Sequence, residues 1–197
     1  FTEPQKVAIP RILNGEHLLL CSPTGSGKTL TAFLTIIDDL VRRSLDGSLP
    51  DAVQCVYISP IKALANDIEK NLLGPLGEIK ERYLPSRAKE IKVGLRTGDT
   101  PQSEREKMLR KPPHILITTP ESMGLGLASK RFRPILDQMK WFIIDEMHSL
   151  VPTKRGTHLS LSMALMDSVV SSDVQRIGIS ATTVSYTHLR AHETWSY

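Results

Sequence analysis

The stretch Ser22-Pro23-Thr24-Gly25-Ser26-Gly27-Lys28-Thr29 limits what this chain can fold into more than any other. An apolar run, His17 to Cys21, precedes it and reads as a buried strand. Leu30 to Val41 follows, with Leu30, Phe33, Ile37, Leu40 and Val41 recurring at helical spacing. Strand, glycine-rich turn and helix together make the setting of a phosphate-binding loop. Gly25 and Gly27 let the backbone turn its N–H groups inward, with the positive end of the helix behind them. In that arrangement Lys28 reaches the outer phosphates of a nucleotide, and the Thr29 hydroxyl holds a magnesium ion bridging them. Thr24, Gly25, Ser26, Gly27, Lys28 and Thr29 are thus the candidate phosphate-binding residues. Where the full pattern starts on glycine, this chain has Ser22.

A second element complements the first. Trp141 to Ile144 reads as a buried strand that delivers Asp145-Glu146-Met147-His148 to the carboxyl edge of a sheet. Adjacent carboxylates after an apolar strand are costly to bury unless they meet a cation or solvent. Beside a phosphate loop the natural cation is magnesium. Asp145 is then expected to hold the metal, and Glu146 to orient and deprotonate an attacking water. Alone, the acid pair equally suits a solvent-facing helix start, and His148 suits a structural histidine.

The remaining chain alternates strands and helices. Strands are expected over Gln54–Ser59, Ile91–Arg96, His114–Thr118 and Gln175–Ile179. Helices are expected from Phe1 to Leu13, from Ser59 to Asp67, over Pro101–Arg110 and from Thr119-Pro120 onward. Residues 73–90, broken by Pro75 and Pro85, read as one or two short helices and a loop. Lys154-Arg155-Gly156 reads as a basic turn before a helix from Gly156 to Ser171, with Leu159, Met163, Met166 and Val170 on its core face. Such alternation predicts an α/β fold whose sheet is mostly parallel and covered on both faces. Ligands on these sheets bind at the carboxyl ends of the strands, where all the segments above fall. Gln5 can donate and accept at once, which suits the edge of an adenine and equally a surface position. Ser59 and Lys62 suit a nucleic-acid phosphate, or a plain capped helix with a solvated lysine.

A chain that is 40% hydrophobic and 23% charged suits one globular domain, and a net charge of +4 permits nucleic acid without establishing it. Cys21 and Cys55 stand without Cys-x-x-Cys spacing, which argues against zinc or a disulfide framework and fits a reducing, cytoplasmic setting. No run reaches transmembrane length, so no membrane is expected as a partner. A start at Phe1 suggests a piece of a longer protein. Residues 184–197 concentrate aromatics and histidines and continue no familiar pattern. A domain over residues 1–183 and a non-native or disordered tail over 184–197 are expected.

In this order and spacing the segments resemble the first motor domain of a superfamily 2 helicase. Ser22–Thr29 resembles motif I, Gln5 the adenine-reading glutamine, Ser59–Asp67 motif Ia and Thr97-Gly98-Asp99 the adjacent Thr-Gly-Asp element. Thr119-Pro120-Glu121 resembles motif Ib, Asp145-Glu146-Met147-His148 a DExH-type motif II and Ser180-Ala181-Thr182 motif III. Asp145 to Leu150 followed by Thr153 to Ser162 is most similar to the large helicase-related (Lhr-like) proteins. Histidine at the end of motif II, and a motif Ia without Pro-Thr-Arg-Glu-Leu, count against a DEAD-box RNA helicase.

The resemblance implies a RecA-like P-loop NTPase domain that uses ATP and Mg2+. Its implied partners are single-stranded or partly duplex nucleic acid, DNA favoured over RNA, with repair as the family role. Lys62, Thr97, Gly98 and Thr119 would touch the backbone. His148, Ser180 and Thr182 would couple the nucleotide to the track and to a second RecA-like domain, whose arginine fingers and later motifs this sequence lacks. Two other readings stay open. A stand-alone P-loop ATPase or nucleotide switch would have no use for motifs Ia, Ib and Thr-Gly-Asp. A non-catalytic binding module would not need the intact Lys28, Thr29, Asp145 and Glu146.

Overall fold

Cys55-Val56-Tyr57-Ile58, Ile115-Leu116-Ile117-Thr118 and Trp141-Phe142-Ile143-Ile144 are short apolar runs, and each forms a strand at the centre of one sheet. The computed structural model describes residues 1–23, 25–60, 68–85, 88–171 and 173–181. Thr24, Thr182, the helix expected over Ser59–Asp67 beyond its first two residues, Lys62, and residues 184–197 lie outside the described residues.

The strands are β1 (Leu18–Cys21), β2 (Cys55–Ile58), β3 (Val93–Arg96), β4 (Ile115–Thr118), β5 (Trp141–Ile144) and β6 (Gln175–Ser180). Their order is β1-β6-β5-β2-β4-β3. Every pairing is parallel, with Cys55 opposite both Ile115 and Trp141, and Ile58 opposite both Thr118 and Ile144. The parallel α/β sheet expected from the alternation is therefore present. The described helices are α1 (Glu3–Leu13), α2 (Lys28–Leu45), α3 (Gly74–Tyr83), α4 (Gln102–Arg110), α5 (Pro120–Ala128), α6 (Met147–Leu150) and α7 (Lys154–Asp167). A π-helical turn, Glu69–Leu73, precedes α3.

Side chains alternate across a strand, so each central strand feeds two cores. Cys55, Tyr57, Ile115, Ile117, Ile143 and Ile177 join Phe33, Ile36, Ile37 and Leu40 of α2 on one face. Val56, Ile58, Leu116, Phe142 and Ile144 join Met123 and Leu127 of α5 and Leu159 and Met166 of α7 on the other. Met163 and Val170 pack against this second core half-buried, as the helical spacing predicted.

Three expectations need correction. β1 is an edge strand paired only with β6, so Leu18 and Leu19 are half-buried and Cys21 is exposed, not sealed. Lys154-Arg155-Gly156 is the first turn of α7 and not a separate turn, with Thr153 in extended backbone at its N-cap. Pro75 does not break a helix: the π-helical turn Glu69–Leu73 runs straight into α3, with Pro75 its second residue. Gly124 and Gly126 of α5 also gain an account. An added Cβ would overlap His158 of α7 at Gly124 and stand 2.7 Å from the Phe132 ring at Gly126. Both glycines allow close packing.

Candidate nucleotide and nucleic-acid site

The carboxyl ends of the six parallel strands run directly into Ser22, Ser59, Thr97, Thr119, Asp145 and Ala181. One edge of the sheet thus gathers nearly every residue singled out from the sequence.

The loop after β1 turns sharply, with Gly25 at φ 81° and Gly27 at φ 84°. These left-handed values suit glycine and no β-carbon residue without strain. Lys28, the first residue of α2, is buried, and its Nζ donates to the carbonyls of Ser22 and, at 2.7 Å, Pro23. Thr29 follows half-buried in the same first turn. The Ser26 hydroxyl is sealed from solvent and has no hydrogen-bond partner among the described residues. A glycine cradle, an unsatisfied hydroxyl and a buried ammonium held, among the described residues, by carbonyls fit the charge and donor needs of a triphosphate. Gln5 is buried, so it is not the surface glutamine its type alone allowed. Its Oε1 accepts from Thr2 N at 2.9 Å, and its Nε2 would stand 3.3 Å from a Cβ on Gly27. The glutamine therefore backs the loop from α1.

Alternation along β5 continues into Asp145. It shares a face with Ile143, on the α2 side, and accepts a hydrogen bond on Oδ2 from the Tyr57 hydroxyl. Tyr57 is buried with its ring centroid 5.0 Å from that of Phe33 in α2. The Asp145 carboxylate is thereby fixed on the same side of the sheet as Lys28 and Thr29. Thr29 and Asp145 are the oxygen donors here that suit a hard cation such as magnesium. Among the described residues no group of three or more His, Cys, Asp or Glu side chains could hold a metal.

Glu146 turns away. Its φ of 51° and ψ of 41° place it in the left-handed region, the one non-glycine residue with positive φ among those described. Such a conformation costs on the order of 1 kcal/mol or more and persists where the surroundings hold it. Glu146 N donates to Asp145 Oδ1 at 2.8 Å, and Glu146 Oε2 lies 3.1 Å from His148 Nε2. On the other side of that ring, Nδ1 lies 3.3 Å from Ser180 Oγ and accepts from Ala181 N at 3.4 Å. An accepting Nδ1 makes Nε2 the protonated nitrogen, so the neutral ring donates to Glu146. Ser180 also accepts on its backbone oxygen from Ser22 N at 3.2 Å, which ties the end of β6 to the start of the glycine loop. His148 is thus a bridge between elements.

The same edge continues to β4 and β3. Thr119 caps α5, its hydroxyl accepting from Ser122 N at 3.3 Å. Arg105 Nη2 donates to the carbonyls of Thr97 and Gly98 at 3.0 and 2.9 Å. Arg155 donates from Nε and Nη2 to the two oxygens of Glu121 and from Nη1 to Pro60 O at 2.7 Å. Those hydrogen bonds, and then the charge of Arg155, hold Glu121 below the usual carboxylate range. The sequence reading singled out neither Tyr57 nor Arg105, and took Arg155 only as part of a basic turn. A tyrosine within an apolar strand carried a usable signal, since a buried phenol needs a partner.

Residues 2–188 match the family model described as DEAD/DEAH box helicase. The chain belongs to that family. It is 53% identical over 183 residues to the ATP-dependent helicase Lhr-Core of Methanothermobacter thermautotrophicus, covering 92% of this chain and 21% of the relative. It is 45% identical over 182 residues to the Lhr helicase/uracil glycosylase of Escherichia coli, covering 89% of this chain and 12% of the relative. The solved structure of Mycobacterium smegmatis helicase Lhr bound to ssDNA and AMP-PNP superposes with a TM-score of 0.81 at 42% identity, over 96% of this chain and 24% of that one. The resemblance to Lhr-like helicases and the RecA-like fold are thereby borne out. This chain spans about a fifth or less of the curated relatives' length.

Proposed function

We propose that the chain is the ATP-binding first motor domain of a helicase that moves along single-stranded nucleic acid, DNA in preference to RNA. Gly25 to Thr29 bind the triphosphate together with Thr24, and Gln5 serves the adenine. Lys28 exchanges the Ser22 and Pro23 carbonyls for outer phosphate oxygens. Thr29 and Asp145 would hold magnesium, which when bound would supply positive charge at the terminal phosphate. Glu146 accepts a proton from the water that attacks the terminal phosphorus, and ADP departs as the bond to the β-phosphate oxygen breaks. His148, Ser180 and Thr182 relay the state of the nucleotide. Thr97, Gly98, Thr119 and Lys62 contact the strand. DNA is favoured because the Mycobacterium smegmatis relative at 42% identity was solved with ssDNA.

The observation that carries this reading is the shared carboxyl edge of the sheet, along which the glycine loop after β1, the acid pair after β5, and the Thr119 and Thr97 turns after β4 and β3 all lie. A second RecA-like domain completes the motor by adding positive charge at the transition state, so the domain over residues 1–183 binds ATP weakly and hydrolyses little alone. No described helix is long and apolar enough to cross a membrane, and the free Cys21 and Cys55 suit a reducing, cytoplasmic setting. Titration of a fluorescent ATP analogue with Mg2+ tests the nucleotide site. Binding that Lys28→Ala abolishes supports it, and binding indifferent to Lys28→Ala overturns it.

A further inference from the structure

β3 ends the sheet on the side away from β1, and among the described strands it pairs with β4 alone. Lys92 O accepts from Ile115 N at 3.1 Å, and Arg96 O accepts from the Thr118 hydroxyl at 2.7 Å. Main-chain groups alternate sides along a strand, so Lys92, Gly94 and Arg96 address β4 while Val93 and Leu95 face away. Thr100 closes one end of this outer edge, its hydroxyl donating to Leu95 O at 3.3 Å and accepting from Thr97 N at 2.8 Å. Val93 N, Val93 O and Leu95 N are left without a partner among the described residues. A groove runs along each face of the edge. On the α3 side, Leu73, Leu76, Gly77 and Val93 line about 320 Å³. On the α4 side, a groove of about 410 Å³ runs over Gly94, Met108 and Pro113. Lys92, Lys107 and Lys111 line that second groove, and among the described residues none of them pairs with a carboxylate. Of the two acids in it, Glu90 is already engaged by Lys80 at 3.5 Å, which leaves Glu104 against three lysines.

We propose that the outer edge of β3 docks an extended segment of a protein partner in which acidic and apolar residues alternate. The segment adds a strand to the sheet, its main chain pairing with Val93 N, Val93 O and Leu95 N. Successive side chains of a strand point to opposite faces. One set therefore enters the α4 groove, where carboxylates meet Lys92, Lys107 and Lys111. The other set enters the α3 groove, where apolar groups meet Leu73 and Leu76. Charge selects this occupant over a second copy of the chain, which would bring the same unpaired lysines to the contact. The outward amides and the apolar groove select it over a nucleic-acid strand, which uses neither. A lysine on an edge strand can simply guard it against pairing, but a guard needs no cleft on both faces. The α4 groove lies where β3 begins and α4 ends, at the amino edge of the sheet, so a docked partner leaves the carboxyl edge free.

The test uses the full chain and a short fluorescein-labelled peptide of alternating Glu and Val. A Lys–Val peptide and a peptide with the same Glu and Val grouped in two blocks serve as comparisons. Anisotropy gives affinity, and amide hydrogen exchange resolved by residue reports on the edge itself. The alternating acidic peptide is expected to bind and to slow exchange at Val93 and Leu95, and the two comparison peptides to bind at least about tenfold more weakly. Lys107→Glu combined with Lys111→Glu, two exposed changes, is expected to weaken binding about tenfold. Leu95→Pro removes one outward donor without touching the ladder to β4 and is expected to weaken it as well. Thermal melts show that each variant is folded, and the exchange measurement on the unmodified chain needs no variant. Peptide binding that leaves Val93 and Leu95 exchange unchanged overturns the strand pairing. Equal binding of the Lys–Val peptide overturns the charge match. Slowed exchange at these amides with a single-stranded oligonucleotide assigns the edge to nucleic acid, and slowed exchange on dimerisation of the chain alone assigns it to a second copy; either overturns the proposal. No binding of the alternating peptide overturns it outright, while leaving the nucleotide site untouched.

Discussion

Arg155 grips Glu121 through both carboxylate oxygens, Nε to Oε1 at 2.5 Å and Nη2 to Oε2 at 3.1 Å, and Nη1 of the same side chain holds Pro60 O. Three segments meet in this contact: the loop after β2, the start of α5, and the start of α7 that follows the acid pair. Replacement by Met is expected to cost below about 1 kcal/mol of stability, because the pair is half exposed. On the proposed function, oligonucleotide affinity is expected to fall several-fold, because the loop after β2 and the start of α5 lose their common anchor. Paired urea melts and anisotropy titrations measure the two effects. Unchanged oligonucleotide affinity would show that the grip is only structural.

Glu146 predicts an unusual ranking of variants. Its φ of 51° is tolerated by glycine and strongly disfavoured for a β-branched residue. Glu146→Gly is expected to be neutral or up to about 1 kcal/mol stabilising, and Glu146→Val to cost about 1–2 kcal/mol. Urea midpoints of the two variants give the comparison. Equal midpoints would mean that the backbone at this position is not left-handed.

The Tyr57 hydroxyl donates to Asp145 from a buried position. Tyr57→Phe keeps the ring beside Phe33 and removes this donor, at about 1 kcal/mol of stability. On the metal role proposed for Asp145, nucleotide affinity should fall in the presence of Mg2+ and stay unchanged with EDTA. An equal loss under both conditions would place Tyr57 outside the metal's support.

His114 is fully buried at the start of β4, where its Nδ1 accepts from Lys92 N at 2.9 Å. Burial first, and then Lys89 and Lys92, push its pKa down to about 4. The unfolded chain binds this proton near pH 6.5, so the folded state is fully favoured above that value. Stability is lost as pH falls from about 6.5 toward 4, by up to about 2–3 kcal/mol from this group. His114→Asn, which retains an acceptor, should flatten the dependence of the urea midpoint between pH 7 and pH 5. An identical slope in the variant would assign the loss to other groups.

The parts of the site that a sequence carries locally were readable. A glycine loop between strand and helix, and two acids after Ile144, state their chemistry within a few residues. The edges of the sheet were not readable in this way. Nothing in His17 to Cys21 distinguishes an edge strand from a central one, because strand order depends on crossovers that pattern does not encode. The through-space partnerships were equally hidden. Tyr57 meets Asp145 across 88 residues, and Arg155 meets Glu121 across 34. Arg105 looks in sequence like an ordinary solvated cation, and only the fold brings it to the Thr97 and Gly98 carbonyls.

The central claim is that one edge of the sheet binds ATP and a single strand together, as half of a motor. The most direct test is nucleotide affinity and turnover of this chain with Mg2+, with and without a single-stranded oligonucleotide. The expected result is weak binding that the oligonucleotide tightens, with little or no hydrolysis. Steady hydrolysis indifferent to the oligonucleotide and lost in Lys28→Ala would contradict it, and would describe a stand-alone ATPase instead.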